Sequence, residues 1–320
     1  MIPTFPDFKN VTVDDKEAVE SHTHKYAPYS DFNFTSLWAW DTNGERMISV
    51  LNDNLVVLFT DYDTYEPSLS FLGNNKTQET TEILIKFAES IGITNTLHYI
   101  GEESVKQQTN LNLRILEDTD NNDYICSVSE LANLTGIKFK SKRHLSNKFI
   151  REYPDASFEI KDLNDPEVHK QILLVLQSWE NKKKSDNKAY ELKHEEIAIK
   201  RLLRDSHKHS LILSCVYLHG TLIGFSIDEL LPLNYALSHF FKANTEYSGI
   251  YDYLNQKIAQ YLCVKKIAFW NMEQDLGIVN LRRSKLSYRP TYFLKKYKIS
   301  VNTQLALPIK SDEYLESISV

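Results

Sequence analysis

Short apolar runs and one long helical pattern alternate along the first half of the chain. Apolar residues recur at helical spacing across 77–91, which predicts a helix there. The runs 47–51 and 55–59 have the length and composition of strands, and the polar turn at 52–54 joins them into a predicted hairpin. The run 67–72 predicts another strand. We therefore expect a mixed α/β structure in this half.

The pattern in the second half is more regular. It predicts a strand at 157–160, helices at 166–179 and 191–204, strands at 211–218, 222–230 and 235–242, a helix at 249–263, a strand at 266–270, a helix at 278–286 and a last strand near 292–299. Two helices, an antiparallel meander and a strand–helix–strand unit form the order of the GNAT acyltransferase fold.

The first half has a less regular version of the same order, without a sequence repeat. We therefore predict an α/β (α+β, mixed sheet) chain of two tandem GNAT-like domains. Pro154 marks the expected boundary between domain 1–155 and domain 156–320, and the second domain is expected to carry the site.

Composition narrows the class of protein. A net charge of −6 excludes a wholly basic nucleic-acid binder, while 42% hydrophobic and 25% charged residues are typical of a globular protein. The three cysteines are widely spaced, which argues against a disulfide framework or a zinc knuckle. The sequence shows neither a signal peptide nor a run of about 20 apolar residues. It therefore predicts a cytoplasmic protein without a transmembrane segment.

In GNAT enzymes the sheet splays between its fourth and fifth strands, and the acyl donor lies in that wedge. Here the wedge is expected between 235–242 and 266–270. The loop that wraps the pyrophosphate of acetyl-CoA needs small residues, so that backbone N–H groups reach the phosphates. This chain keeps Gly249 there but has the anionic Glu246 and the bulky Tyr251. The residues therefore disfavour acetyl-CoA without excluding it.

Basic residues are concentrated in two places. One is the predicted helix 138–151, which lacks acidic residues. Its basic side is either simply exposed to solvent or functional. The other follows the strand 266–270, at an edge where open α/β sheets bind ligands. Its members are Arg282, Arg283, Lys285, Arg289, Lys295, Lys296 and Lys298. An anionic carrier such as tRNA is the expected partner of such a cluster.

The residues of this region resemble the C-terminal catalytic domain of phosphatidylglycerol lysyltransferase and its soluble relatives, which are paired GNAT folds. The resemblance rests on Leu281-Arg282, Lys285, Tyr288 and Pro290, on Asn271, Glu273 and Asp275-Leu276-Gly277, on Lys142, Arg143, His144, Asn147, Lys148 and Phe149, and on the aromatic patch Phe32 to Trp40. The resemblance implies transfer of an aminoacyl group from aminoacyl-tRNA. The membrane-embedded half of the lipid enzymes is missing from this sequence, which leaves the acceptor open.

Roles follow from residue type and position. His239 is the candidate base, because a neutral imidazole accepts a proton near pH 7, and a structural hydrogen bond is its alternative. Lys285 and Arg282 share a helix face that suits a phosphate or an ester carbonyl, with a salt bridge to Glu273 or Asp275 as the alternative. Those two carboxylates suit recognition of an amine, with helix capping by Asp275 as the alternative. Further candidates are substrate contacts at Lys242, Asn244, Tyr247, Gly249, Tyr251, Asn271 and Tyr288, and tRNA or phosphate contacts at Lys142, Arg143, Lys148, Arg283 and Arg289.

Three hypotheses of function remain open. The first is an aminoacyltransferase that uses aminoacyl-tRNA as co-substrate and acts on a lipid, a peptide or a small molecule. The second is a CoA-dependent N-acyltransferase, and the third is a binding protein that kept the fold without the chemistry. No cofactor and no metal are expected, because the pairs His22/His24 and His207/His209 have too few neighbouring ligands. Trp38 and Trp40, at strand-like spacing, are expected to line a core between the two halves.

Overall fold

Three β-sheets organise the computed structural model, which describes residues 1–60, 66–186 and 193–302. The strands in these ranges are β1 (Lys9–Asn10), β2 (Met47–Leu51), β3 (Asn54–Thr60), β4 (Pro67–Leu72), β5 (Leu97–Gly101), β6 (Leu113–Glu117), β7 (Asp123–Ser127), β8 (Ser157–Lys161), β9 (Leu211–Leu218), β10 (Thr221–Leu231), β11 (Tyr235–Ala243), β12 (Phe269–Asn271), β13 (Tyr292–Leu294) and β14 (Lys296–Val301). The sheets have the orders β1-β2-β3-β4, β13-β7-β12-β11-β10-β9-β8 and β5-β14-β6.

The α-helices separate and follow these strands along the chain. In the described ranges they are α1 (Lys16–Thr23), α2 (Phe34–Ala39), α3 (Thr77–Ser90), α4 (Glu102–Val105), α5 (Val128–Asn133), α6 (Lys140–Glu152), α7 (Pro166–Asp186), α8 (Lys193–Arg204), α9 (Ile250–Val264) and α10 (Val279–Ser287). The order of elements predicted for the second half is thus observed from β8 to α10. The prediction of a mixed α/β fold is confirmed.

The two halves exchange strands. The predicted strand 292–299 is in fact two strands, of which β13 pairs with β7 in the large sheet and β14 pairs with β5 and β6 in the small one. Strand β7, from the first half, lies between β12 and β13. The expected boundary at residue 155 falls between α6 and β8, but it does not divide the sheets.

The strand-like spacing of Trp38 and Trp40 proved misleading, because Phe34–Ala39 forms α2. Asn33 caps this helix by accepting a hydrogen bond from the Ser36 N–H at 3.0 Å. All six residues of α2 are buried, so the helix shows no polar face that would reveal its period in the sequence. The expected core location is confirmed, since Trp38 packs in a cluster that contains residues from both halves.

The large sheet opens between β11 and β12. These parallel strands pair only over Tyr235–Leu237 and Phe269–Asn271, while β11 continues to Ala243. Next to this opening β11 contains a bulge. Ile227 and Asp228 of β10 pair with Phe240 and Ser238, so His239 has no partner residue on β10. The predicted wedge therefore exists.

Candidate functional site

Polar side chains converge where β12 ends beside the wedge. The last residue of β12, Asn271, donates from Nδ2 to the carboxylate of Asp123 at 3.1 Å and to the carbonyl oxygen of Pro28 at 2.8 Å. Its Oδ1 accepts the backbone N–H of Glu273 at 2.7 Å. The buried amide thereby orients the loop that carries Glu273. We call Asp123, Asn271, Glu273, Gln274 and Lys285 the strand-end cluster.

Lys285 reaches this cluster from α10. Its Nζ donates to the carbonyl oxygens of Met272 and Gln274, each at 2.5 Å. Burial lowers the pKa of Lys285 to about 8, and the charge of Glu273 partly offsets that effect. The side chain remains half-buried, so solvent or a ligand can reach it.

Glu273 is the carboxylate with the fewest restraints in the cluster. Burial raises its pKa to about 7, against the opposing charges of His239 and Lys285 and with support from Asp123 and Asp31. Its side chain is half-buried and accepts no hydrogen bond from the part of the chain that the structure describes. A carboxyl group that titrates near neutral pH and is open to a ligand is suited to accept a proton.

A buried lysine joins the two halves behind the cluster. The Lys296 ammonium is fully buried and contacts Asp31, Asp123 Oδ1 at 2.7 Å and Ser30 Oγ at 3.2 Å. Burial opposes its charge, but the two carboxylates outweigh burial and raise the pKa of Lys296. Ser30 also donates to Gln274 Oε1 at 2.7 Å. The sequence pattern grouped Lys296 with cations expected to bind phosphate. It did not identify Asp31 and Asp123 as its partners, because they lie far from it along the chain.

His239 has a hydrogen-bonding partner at each of its ring nitrogens. Its Nε2 lies 3.1 Å from the Glu229 carboxylate and its Nδ1 lies 3.3 Å from Ser36 Oγ, with the side chain 1% exposed. Although burial opposes it, hydrogen bonds from His239 and Asn33 lower the pKa of Glu229 to about 2. Both ring nitrogens of His239 are thus engaged, as in the structural alternative, and its role as a base stays a prediction.

The loop that binds pyrophosphate in acetyl-CoA enzymes is covered by α6. A Cβ on Gly249 would lie 2.3 Å from the Leu145 carbonyl oxygen, so this glycine permits close packing of α6. Lys148 Nζ meets Ser248 Oγ at 3.0 Å, and the hydroxyl of Tyr251 accepts the Ala243 N–H at 3.2 Å. Asn244 accepts the Glu246 N–H at 3.0 Å, and Tyr247 packs edge-on against Tyr153 at 5.2 Å between ring centroids. Each of these residues thus has a contact within the chain, and ligand binding here stays a prediction.

Four of the seven cations predicted at 282–298 pair with acids, most of which come from the first half. Arg282 binds Asp275 at 2.7 and 2.9 Å and Asp120 at 2.6 Å, as in the salt-bridge alternative. Asp275 also accepts the Gly277 N–H at 2.8 Å, which is the capping alternative. Lys295 pairs with Glu117 at 2.9 Å and Lys298 with Asp118 at 3.3 Å. Strand exchange brings the acids of the first half alongside these cations, a pairing that the sequence pattern did not show.

Most other predicted cation contacts are also internal. Lys142 lies 3.0 Å from Asp252 and 3.7 Å from the centroid of the buried Tyr288 ring. Arg143 donates to the carbonyl oxygens of Leu134 and Gly136. Lys242 pairs with Glu195 at 2.8 Å and lies over the Trp179 ring. By contrast, Arg283 and Arg289 are exposed and have no acidic partner among the described residues.

Two negative findings concern the described ranges alone. No helix there has the length and apolar character that crossing a bilayer requires. No three His, Cys, Asp or Glu side chains there come together as metal ligands.

Comparison with known proteins supports the architecture. A conserved protein of unknown function from Bacteroides thetaiotaomicron has a similar structure, with a TM-score of 0.80 and 24% identity over 94% of this chain and 100% of the other. The structure of L-PGS from Bacillus licheniformis gives a TM-score of 0.61 at 14% identity, covering 94% of both chains. The predicted GNAT-like fold is confirmed.

An uncharacterised protein from Mycoplasmoides gallisepticum is 28% identical over 195 residues. The match spans 59% of each of the two proteins. The sequence model described as "Phosphatidylglycerol lysyltransferase, C-terminal" matches residues 23–300. The chain therefore belongs to the family of the phosphatidylglycerol lysyltransferase C-terminal domain.

Proposed function

We propose that this protein is an aminoacyltransferase that takes its aminoacyl group from aminoacyl-tRNA and passes it to an amine or hydroxyl acceptor. The chain is GNAT-like and related to lysylphosphatidylglycerol synthase. The observation that carries the proposal is Glu273, the half-buried carboxyl group with a pKa of about 7 beside Lys285. An aminoacyl ester is already activated, so the protein must mainly position both partners and remove a proton.

The charge around the strand-end cluster favours a cationic substrate. Asp31, Asp123 and Glu273 carry three negative charges when ionised, while Lys285 and Lys296 carry two positive ones. The balance of one negative charge favours an α-ammonium group over an anionic acyl carrier at this point. In the proposed reaction the acceptor attacks the ester carbonyl while Glu273 accepts its proton, and the Lys285 ammonium stabilises the negative oxygen of the tetrahedral intermediate. Collapse of the intermediate breaks the ester C–O bond and releases the tRNA hydroxyl, which takes its proton from Glu273.

Helix α6, which lies beside the wedge, favours tRNA over CoA as the carrier of the transferred group. Because α6 packs against Gly249 and Lys148 contacts Ser248, a CoA pyrophosphate has little room beside the start of α9. The outer side of α6 still presents Lys140, His144 and Arg151, which are exposed. Such residues suit contacts with the phosphates of a tRNA, and these contacts weaken as salt concentration rises.

The test is transfer of labelled aminoacyl groups from charged total tRNA to a lipid extract or an amine mixture. Glu273→Gln should reduce transfer by about 100-fold or more, because it removes the base. Glu196→Gln, a change in an exposed carboxylate on α8, should have no effect. Thermal protection by acetyl-CoA without any aminoacyl transfer would overturn the proposal in favour of a CoA-dependent enzyme.

A further inference from the structure

The outward face of α10 carries exposed aliphatic side chains. Val279 and Leu286 are 78% and 43% exposed and lie on one side of the helix together with Arg283. Leu276 and Ile278, in the turn before the helix, are 46% and 51% exposed. This nine-residue helix buries none of its own residues. A short helix normally depends on packing for its stability, so its bare apolar side indicates a surface that becomes covered.

Cations lie among these aliphatic side chains. Arg283 and Arg289 are exposed, and neither has an acidic partner in the described ranges. The neighbouring Arg282 is held by Asp275 and Asp120 on the flank of the helix, so Asp120 is already neutralised. The surface thus combines apolar area with a positive charge. We call Leu276, Ile278, Val279, Arg283, Leu286 and Arg289 the α10 face.

We propose that the α10 face docks onto the surface of a bilayer that contains anionic lipid. The aliphatic side chains would enter the boundary between headgroups and acyl chains, and the guanidinium groups would bind lipid phosphates. A single-stranded nucleic acid matches this face less well, because aliphatic side chains offer no ring on which bases stack. In a symmetric dimer formed through this face, the unpaired arginines of the two copies would lie close together and repel each other.

Docking would bring the strand-end cluster close to the bilayer. Lys285 projects from the opposite side of α10, where its Nζ contacts the loop that carries Glu273. An acceptor held at the membrane surface would then lie near that loop. This link to catalysis rests on the proposed function, whereas docking itself does not.

The experiment is sedimentation of the full chain with vesicles made of phosphatidylserine and phosphatidylcholine in equal parts, compared with pure phosphatidylcholine. The protein should sediment with the anionic vesicles, and less of it should do so at high salt. The triple variant Leu276→Ser, Val279→Ser and Leu286→Ser should partition about tenfold less, because it loses apolar area. Leu174→Ser removes a leucine that is 64% exposed on α7 and should bind like the unchanged protein.

A second variant separates charge from apolar contact. Arg283→Gln with Arg289→Gln should lose the preference for phosphatidylserine. Thermal unfolding of each variant should match that of the unchanged protein, because all these side chains are exposed. Failure of the unchanged protein to bind either vesicle, or equal binding by the triple variant, would overturn the proposal. If the unchanged protein binds the vesicles but transfers no aminoacyl group, the proposed function is contradicted and the docking proposal is not.

Discussion

Glu273 adopts a backbone conformation that few glutamates tolerate, with a φ of 57°. Its N–H donates to Asn271 Oδ1 at 2.7 Å, and its carbonyl oxygen accepts the Tyr124 N–H at 3.2 Å. The strain is therefore maintained by neighbours on β12 and β7. Strained residues that surrounding contacts hold in place are common at functional sites, which agrees with the role proposed for this carboxylate.

The pH dependence of transfer follows from two groups. Activity should rise as pH increases through about 7, because Glu273 must lose its proton to act as a base. It should fall above about 8, where Lys285 loses its charge. The measurement is kcat/KM against pH for an identified acceptor. An acidic limb near pH 4 would contradict the role of Glu273, whereas an unchanged alkaline limb in Lys285→Met would contradict that of Lys285.

Stability should respond to the same carboxylate. The folded pKa of Glu273 lies above the ordinary value of 4.5, so the folded state binds its proton more tightly than the unfolded state does. The stabilisation is present below pH 4.5 and is lost as pH rises through about 7. Glu273→Gln should therefore raise the Tm at pH 8 and change it little at pH 5. A lower Tm at pH 8 would contradict this.

Lys296 should be the most sensitive single residue for stability. Lys296→Met leaves Asp31 and Asp123 buried without a cation, which should cost about 3 to 5 kcal/mol in the free energy of unfolding. Adding Asp31→Asn and Asp123→Asn should restore part of that loss, because the uncompensated charges are removed. Urea denaturation measures both variants. A loss below about 1 kcal/mol for the single change would show that Asp31 and Asp123 do not depend on Lys296 to compensate their charge.

At the scale of elements, α6 packs on the start of α9, where the sequence predicted a phosphate-binding loop. Gly249 has a φ of 86°, and the space of its missing Cβ is filled by the backbone of Leu145. The glycine that sequence reasoning assigned to a phosphate loop thus serves contact between two helices. The two uses look alike in a sequence, because both require a residue without a side chain.

Gly249→Ala should destabilise the protein by about 2 kcal/mol or more, since it adds a clash to an unfavourable φ. The matched control is Gly44→Ala, where φ is 71° and no atom lies within 4 Å of the added Cβ. That change should cost only about 1 kcal/mol. Chemical denaturation compares the two variants, and equal losses would show that α6 yields at this contact.

At the scale of the whole molecule, strand exchange makes the halves interdependent. The second half lacks β7, which lies between its β12 and β13, and the first half lacks β14, which lies between its β5 and β6. A missing central strand leaves backbone N–H and C=O groups unpaired on two neighbours. The core shared by the halves adds apolar surface that each would expose when alone.

Neither fragment, 1–155 or 156–320, should therefore fold by itself. Each should show no cooperative thermal transition, while the two expressed together should form a complex that unfolds like the intact chain. Circular dichroism and size-exclusion chromatography measure these outcomes. Cooperative unfolding of either fragment alone would instead support the predicted domain boundary at residue 155.

Local patterns in the sequence were sufficient to predict the position of most helices and strands. Strand β4 occupies the predicted 67–72, and the meander β9 to β11 and helix α9 lie within one or two residues of the prediction. Hydrophobic periodicity reports which side of an element is buried, and that information is contained in a few neighbouring residues. The wedge between β11 and β12 followed from the same order of elements.

Partners across the chain were decided by the tertiary structure alone. The sequence determined that this is a mixed α/β protein, because residue types and local periods specify that much, and it predicted a site near Glu273 and Lys285. It did not reveal that Lys296 contacts Ser30, 266 positions away, or that acids of the first half pair with Lys295 and Lys298. Charge pairing and strand exchange depend on distances in space, which a one-dimensional pattern of residues does not contain.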